Sequence, residues 1–131
     1  MRGCQTESRD STSPGQDSPL TFSRLGEGDF HARLAATAGV AVVVFSAPAC
    51  GACRVWKQLL PQALSEMANA LYEVDVSEAT GVARYFGIFH LPTLYLYRNG
   101  QFHAELQCEA RLEAIRQAVQ RMLVAPAQDE R

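Results

Sequence analysis

Two cysteines separated by two residues, Cys50 and Cys53, are the side chains of this sequence best suited to chemistry. A helical pattern begins at this pair, so both thiols fall in the first turn of a predicted helix. The unpaired N–H groups and positive dipole end of a helix start stabilise an anion, and Cys50 should ionise more easily than a free thiol. Because a thiolate attacks disulfides and Cys53 is near enough to attack a mixed disulfide in turn, the pair is predicted to be a reversible dithiol switch.

Other uses of a C-x-x-C motif remain open at this point, namely half of a zinc site or two buried cysteines. A second C-x-x-C or a His pair that would complete a zinc-finger spacing is missing from the sequence. The four cysteines, which include Cys4 and Cys108, are too few and too unevenly spaced for a disulfide scaffold. Catalytic use in a reducing compartment is therefore favoured. Cys4 is interpreted as incidental, although an exposed thiol there could form adventitious intermolecular disulfides.

Composition limits the classes of protein that this chain can belong to. Its 131 residues, 47% of them hydrophobic, suffice for one domain with a substantial core. The formal net charge of -2 and the absence of a Lys/Arg cluster give no surface for nucleic acid. The sequence shows no apolar run long enough to span a bilayer and no apolar core of a secretory signal after Met1. A soluble cytoplasmic protein is expected, although a processed secreted form would have lost its signal peptide.

Strands and helices are predicted to alternate around the cysteines. Residues 1–19 are polar and are predicted to form a disordered tail, and residues 125–131 a frayed C-terminus from Gln128 onward. Hydrophobic periodicity and turn residues predict the elements between them. The first are an edge strand Leu20–Leu25, a helix capped by Asp29 that carries Phe30, Leu34, Ala35 and Ala38 on one side, and a buried strand Val40–Phe45. A helix from Cys50 follows, with a kink at Pro61 and an apolar stripe of Trp56, Leu60, Leu64 and Met67 beside Val55, Leu59 and Ala63. Next come a strand Leu71–Val76 and a helix Glu78–Phe86, which is capped by Ser77, carries Val82, Tyr85 and Phe86 inward and ends at Gly87. The last elements are a strand Leu94–Tyr97, an Asn99-Gly100 turn, a strand Gln101–Gln107 and a helix Glu109–Val124.

This order of elements resembles the thioredoxin family over roughly Leu20 to Val124. The recognisable pieces are the Val-Phe run before the cysteines, the C-x-x-C itself, Glu73-Val74-Asp75-Val76, Tyr85-Phe86-Gly87-Ile88, Leu91-Pro92-Thr93 and the Asn99-Gly100 hairpin. The resemblance implies a single-domain α/β thioredoxin fold, with a mixed sheet of about five strands flanked by about four helices. It also implies that Pro92 is a cis proline lying against the disulfide, and that Ala49, Leu91 and Pro92 contact the substrate.

The sequence departs from the family pattern at four places near the cysteines. Family members usually have Trp where Ala49 and Ser46 stand, a buried Asp where Val44 stands, and Gly-Pro where this chain has Gly51-Ala52. The family's Asp is thought to relay protons for the second cysteine, so its loss leaves the general base unidentified. Without proline's rigidity the first helical turn can relax more, which changes the redox potential.

Two further residues, His90 and Cys108, fall at positions that in the family lie beside the disulfide. A protonated His90 would favour the Cys50 thiolate, and a neutral one could accept a proton from Cys53. The alternatives are a surface imidazole bonded to backbone and a small thiol that fills space at a strand end. His31 and His103 have no partner in view and are assigned no role.

The resemblance favours a protein-disulfide reductase in which Cys50 is the nucleophile and Cys53 the resolving thiol. Such a protein would act without a cofactor or metal, as a monomer, on disulfide-containing protein substrates, and a separate reductase would recharge it. Three alternatives stay open: a disulfide oxidase or isomerase in an oxidising compartment, a Cys₃His metal-binding module, and a non-enzymatic adaptor. The metal module would use Cys50, Cys53, Cys108 and His90. The sequence does not give the redox potential that separates the first two functions.

Overall fold

The computed structural model describes residues 20–130, so the predicted disordered tail and Cys4 lie outside the described residues. Strands and helices alternate in the order predicted. The elements of the described part are β1 (Phe22–Arg24), α1 (Phe30–Ala35), β2 (Val40–Ser46), α2 (Gly51–Ala63), β3 (Ala70–Asp75), α3 (Thr80–Phe86), β4 (Thr93–Arg98), β5 (Gln101–Glu105) and α4 (Leu112–Val124). Between residues 20 and 130, no helix combines the length and the apolar character needed to cross a membrane.

The strands form one mixed sheet in the order β1-β3-β2-β4-β5. β2 is parallel to β3 on one side and antiparallel to β4 on the other. Its central position explains its sequence, because a strand covered on both faces needs apolar side chains at every position rather than at alternate ones. The single α/β domain with a five-stranded sheet and four helices confirms the predicted thioredoxin fold.

Two hydrophobic clusters cover the two faces of the sheet, and β2 contributes to both. Val42 and Val44 face α2 and α4, where they meet Trp56, Leu60 and Ile115. The intervening side chains of β2 point to the opposite face, toward α1 and α3; that second cluster includes Val43, Phe45, Phe30, Leu34, Val82 and Phe86. Burial of each large side chain contributes roughly 1.5–3 kcal/mol, so this double burial fixes the register of the strand that leads to the cysteines.

The first helix is shorter than predicted. α1 ends at Ala35, whereas the helix was predicted to reach Ala38. Ala35 and Ala38, predicted to share one side with Phe30 and Leu34, are exposed. Asp29 occupies the N-cap position, but its side chain makes no cap hydrogen bond. Its Oδ1 instead accepts a hydrogen bond from the backbone N–H of Gly26 at 2.7 Å. Asp29 therefore closes the turn before the helix instead of satisfying the helix's own N–H groups.

The predicted start of α3 was also wrong. The helix begins at Thr80 with Ala79 as its N-cap, whereas Ser77 was predicted to cap it. The Ser77 hydroxyl donates to Oδ1 of Asp75 at 2.6 Å, and its backbone N–H donates to the same oxygen at 2.9 Å. An aspartate that accepts a hydrogen bond two residues ahead forms a local turn that competes with a helix. Tyr85, predicted inward, is 42% exposed.

The remaining elements agree more closely with the sequence. α2 continues through Pro61 to Ala63, so Leu64 and Met67 follow the helix instead of belonging to it. Val55, predicted to lie beside the apolar stripe, is 47% exposed.

The last helix also differs in detail from its prediction. α4 begins at Leu112, three residues after its predicted start. Gln128, predicted to fray, donates its backbone N–H to the carbonyl of His103 at 2.7 Å and accepts from the N–H of Glu105 at 3.1 Å. These bonds add the terminal segment to the outer edge of β5.

Candidate functional site

Cys50 and Cys53 lie at the point where the central strand passes into α2. β2 ends at Ser46, and Cys50 is the N-cap residue of α2 with extended backbone angles. The two cysteines form a disulfide with their Cα atoms 5.3 Å apart. Sγ of Cys50 also accepts a hydrogen bond from the backbone N–H of Cys53 at 3.1 Å. A sulfur at this position is bonded by one of the helix's unpaired donors, which favours a thiolate once the disulfide is reduced.

The two cysteines differ in their exposure to solvent. Cys50 is half-buried, whereas Cys53 is 1% exposed and packs within the protein. An incoming disulfide can therefore reach Cys50 more easily than Cys53. The predicted division between an attacking Cys50 and a resolving Cys53 stays a prediction.

The residues predicted to contact the substrate are accessible to different extents. Ala49 is exposed, and Leu91 and Pro92 are half-buried. The peptide bond between Leu91 and Pro92 is cis, as the resemblance implied. The hydroxyl of Thr93 donates to the carbonyl of His90 at 2.7 Å and so links the two sides of this bond. That link was not predicted, and substrate contact by Ala49, Leu91 and Pro92 stays a prediction.

His90 and Cys108 have different environments. The His90 ring is exposed, and the cavity that His90 lines together with Phe89 and Thr93 includes neither cysteine of the pair. Cys108 is half-buried against the hydrophobic cluster beneath α2 and α4, and this burial raises the pKa of its thiol. A modulating role for either residue stays a prediction. Within residues 20–130 no group of three or more His, Cys, Asp or Glu side chains is placed to hold a metal ion.

Two histidines that were assigned no role have packing roles. His103 is 7% exposed and a ring nitrogen lies 2.6 Å from the carbonyl oxygen of Met122, which ties β5 to α4. His31 stacks edge-on against Phe30 and Tyr85 on the other face of the sheet. Neither contact involves the cysteine pair.

A charged cluster next to α2 was not predicted from the sequence. Val44 is fully buried in apolar surroundings, and its register partner on β3 is Glu73. Oε2 of Glu73 accepts hydrogen bonds from the hydroxyl of Ser46 at 3.0 Å and from the ammonium of Lys57 at 2.5 Å. Ser46 therefore binds a carboxylate from the neighbouring strand, at the position where a Trp was expected from the family pattern. The signal in the sequence was a charged residue at an inward position of a strand, together with a lysine four residues after Cys53.

The ionisation of Glu73 reflects two opposing effects. Burial alone would raise the pKa of its carboxyl, but the hydrogen bonds from Lys57 and Ser46, with the charges of Lys57 and Arg24, outweigh it and lower the pKa below its ordinary value of 4.5. Arg24 of β1 lies 3.9 Å from Glu73, 3.7 Å from Asp75 and 3.1 Å from Glu78. The cluster thus contains two cations, one on α2 and one on β1. Its carboxylates lie on β3 and in the turn that follows β3.

The family model described as Thioredoxin matches residues 22–121, which span most of the chain. The chain belongs to the thioredoxin family. Family membership and the Cys50–Cys53 disulfide at a helix start together support thiol–disulfide oxidoreductase chemistry.

Curated relatives are thioredoxins from several compartments. The chain is 35% identical to thioredoxin of Gallus gallus over 75 residues, which cover 56% of this chain and 71% of the chicken protein. It is 33% identical to mitochondrial thioredoxin-2 of Schizosaccharomyces pombe over 75 residues, 56% of each chain. The match to chloroplastic thioredoxin M4 of Arabidopsis thaliana is 22% identical over 120 residues and covers 90% of this chain but 60% of the plant protein.

Solved structures share the fold at lower identity. A mutant thioredoxin from Halobacterium salinarum superposes with a TM-score of 0.68 at 20% identity, over 82% of this chain and 96% of that one. The zinc-bound form of human ERp44 superposes with a TM-score of 0.64 at 23% identity, over 79% of this chain and 30% of that larger one. At these identities the superpositions establish the fold alone.

Proposed function

We propose that this protein reduces disulfides of other proteins. The observation that carries the proposal is the position of Cys50, a half-buried residue whose Sγ caps α2 and accepts a backbone N–H, while Cys53 is enclosed within the protein. In the first step the Cys50 thiolate attacks one sulfur of a substrate disulfide, and the other substrate sulfur leaves as a thiolate that takes up a proton. In the second, Cys53 loses its proton and attacks Sγ of Cys50, which releases the second substrate thiolate. The substrate gains two electrons, and the Cys50–Cys53 bond stores the oxidation.

The substrate would contact Ala49, Leu91 and Pro92. An extended peptide can pair its backbone with the segment before β4, which leaves its cysteine facing Cys50. The small side chain of Ala49 leaves this approach open, since a larger residue there would cover more of the sulfur. A separate reductase would return two electrons to the disulfide after each turnover.

We further propose that the protein works as a cytoplasmic monomer. The support is compositional: the cysteines are unevenly spaced, as suits a reducing compartment, and the charge of -2 with 47% hydrophobic residues suits a small independent domain. Fractionation of tagged protein and light scattering of the purified chain test these two points.

The reduction potential of the Cys50–Cys53 pair distinguishes reduction from oxidation. The alternative of an oxidase or isomerase is favoured by the Gly51-Ala52 dipeptide, which lacks a proline. We expect equilibration with glutathione buffers to give a potential near about -270 mV, against about -180 to -120 mV for known isomerases and oxidases. The reduced protein should also reduce insulin disulfides catalytically when a dithiol recharges it. A potential in the higher range, with no insulin reduction, would contradict the reductase proposal.

A further inference from the structure

We infer that Lys57, held in place by Glu73 and Ser46, is a positioning residue that makes the resolving thiol of Cys53 more acidic. The inference deepens the proposed function, because it concerns the step in which Cys53 displaces the substrate. It gives a role to the charged cluster of Glu73, Lys57 and Arg24, which the Cys50–Cys53 chemistry described above does not use.

Helix geometry places Lys57 next to Cys53. The two residues are four apart and both lie within α2, so their side chains leave the same face with Cβ atoms about 5–6 Å apart. That face is turned toward the sheet, because Cys53 is 1% exposed and Lys57 reaches across to β3. The side chain of Lys57 is 28% exposed and that of Glu73 is 15% exposed. The ammonium is therefore held beneath the helix, although a free lysine would extend into water.

Burial of Cys53 explains why a nearby cation matters. A thiol in apolar surroundings resists ionisation, because the charged form loses its hydration. Resolution nevertheless requires the thiolate, so the proton must leave Cys53 before its sulfur attacks Cys50. A positive charge one helical turn away stabilises that thiolate without itself taking up the proton, which passes to water. Val44, which faces the same side of the sheet, is apolar and supplies neither a charge nor a proton acceptor.

Glu73 fixes the ammonium without cancelling its effect. Its carboxylate lies on β3, where it accepts hydrogen bonds from Lys57 and Ser46 and pairs with Arg24. Lys57, in contrast, is on the same helix as Cys53. The net influence on Cys53 should therefore favour the anion, but only modestly, since the pair is partly hydrated.

Other charged groups lie near α2, and their effects on the ionisation of Cys53 can be tested separately from that of Lys57. On α4, which also packs against α2, Glu113 and Arg116 pair with each other at 3.4 Å. Arg54 of α2 lies on the exposed side and reaches the carbonyl of Pro48 at 3.5 Å. Further titratable or charged groups around the cluster and its hydrophobic neighbours include Arg24, Asp75, Glu78, Cys108, Glu109, Arg111 and Arg121.

The test is an NMR titration of the reduced full-length chain, in which the Cβ shift of Cys53 reports its ionisation separately from the other cysteines. Lys57→Met should raise the midpoint of the Cys53 titration by about half a unit or more, equal to about a threefold loss of thiolate at neutral pH. Lys57→Arg should restore most of the shift, because it keeps the charge and can still reach Glu73. Arg116→Met is the matched control, since it removes a partly exposed, paired cation on another helix and should leave the midpoint unchanged.

A kinetic readout accompanies the titration. The mixed disulfide of Cys50 with glutathione should resolve about threefold more slowly at pH 7 in Lys57→Met than in wild type, with the gap closing as pH rises. Should Lys57→Met fail to fold, Lys57→Gln gives the same comparison with a polar side chain. A Cys53 midpoint equal to wild type in the folded charge-removing variant would overturn the inference. Failure of the wild type itself to release glutathione would instead contradict the proposed function, while the titration would still decide the role of Lys57.

Discussion

At the scale of single residues, the surroundings of Val44 disfavour a charged side chain at this position of β2. Val44 is fully buried between the sheet and α2, and its surroundings are apolar side chains. A carboxylate at this position would lose its hydration, and the cations beside β3 are already bound to Glu73 and Asp75. Charge on this face is therefore accommodated at Glu73 of β3. Partial exposure, hydrogen bonds from Ser46 and Lys57 and the charge of Arg24 stabilise that carboxylate.

Val44→Asp should lower the free energy of unfolding by about 3–5 kcal/mol at neutral pH, the cost of an uncompensated buried charge. Burial raises the pKa of the introduced carboxyl above its unfolded value of about 3.9, so the penalty grows as pH rises above that value. Urea unfolding at about pH 4 and about pH 7 measures the difference. Val44→Asn is the control, because it introduces polarity without an ionisable group. Equal penalties for Val44→Asp at both pH values would contradict this account.

Cys108 should react slowly with alkylating reagents near neutral pH. Burial raises the pKa of its thiol, with the nearby Glu109 adding to this effect and Arg121 and Arg111 opposing it. In the reduced protein, peptide mapping after brief iodoacetamide treatment at pH 7 should show Cys50 modified well before Cys108, with the gap narrowing as pH rises. The same protein in denaturant serves as the control. Equal rates for Cys108 in the folded and denatured chain would show that its environment does not protect it.

At the scale of elements, the cap of α3 determines how the chain enters the segment that leads to Pro92. Gly87 ends the helix in the left-handed region with φ of 67°. A Cβ built at Gly87 would meet no atom within 4 Å, so a substitution there tests backbone conformation and not packing. The segment from Gly87 to Pro92 carries both predicted modulator His90 and predicted contact Leu91.

Gly87→Ala should therefore destabilise the protein by about 1–2 kcal/mol, the cost of the left-handed conformation for a residue with a Cβ. Gly28→Ala is the matched control, since its Cβ also meets nothing within 4 Å and its φ is outside the strained positive region. The control should change the free energy of unfolding by no more than about 0.5 kcal/mol. Chemical denaturation of both variants checks the comparison, and equal effects would contradict it.

The sequence predicted the elements wherever a local signal was strong. The unbroken apolar run before Cys50 predicted the central strand, because a strand buried on both faces needs apolar residues throughout. The Asn99-Gly100 pair predicted the hairpin, because left-handed turn angles favour Asn and Gly. It failed at Ser77, which Asp75 holds in a turn, since two polar neighbours can satisfy either a helix or a turn. The ion pair of Lys57 with Glu73 joins two separate elements, so no local pattern in the sequence indicated it.

At the scale of the whole molecule, charges tie the outer strand, the sheet and α2 together. Arg24 of β1 and Lys57 of α2 both approach carboxylates of β3. The pKa of Asp75 is lowered chiefly by its hydrogen bond from Ser77, and that of Glu73 is lowered because its hydrogen bonds outweigh the effect of burial. Both groups therefore contribute stability that is present above their unfolded pKa values and is lost as pH falls through the folded ones.

Glu73→Gln should reduce this loss on acidification. The wild type should lose stability as pH falls below about 5, and the variant should lose less over the same interval because one depressed carboxyl is gone. Thermal unfolding between about pH 3 and pH 7 measures the slopes. Glu113→Gln, which removes an exposed carboxylate paired with Arg116, should leave the slope close to wild type. Parallel curves for Glu73→Gln and wild type would show that Glu73 contributes nothing to acid sensitivity.

The central claim is that Cys50 attacks and Cys53 resolves, and trapping of mixed disulfides tests it most directly. Cys53 is 1% exposed while Sγ of Cys50 caps α2 at a half-buried position, so removing the resolver should leave the attacking thiol active. Incubation of each single Cys-to-Ser variant with insulin, followed by non-reducing electrophoresis and peptide mapping, should show a stable adduct at Cys50 in Cys53→Ser and little adduct at Cys53 in Cys50→Ser. Stable adducts in Cys50→Ser but not in Cys53→Ser would contradict the account.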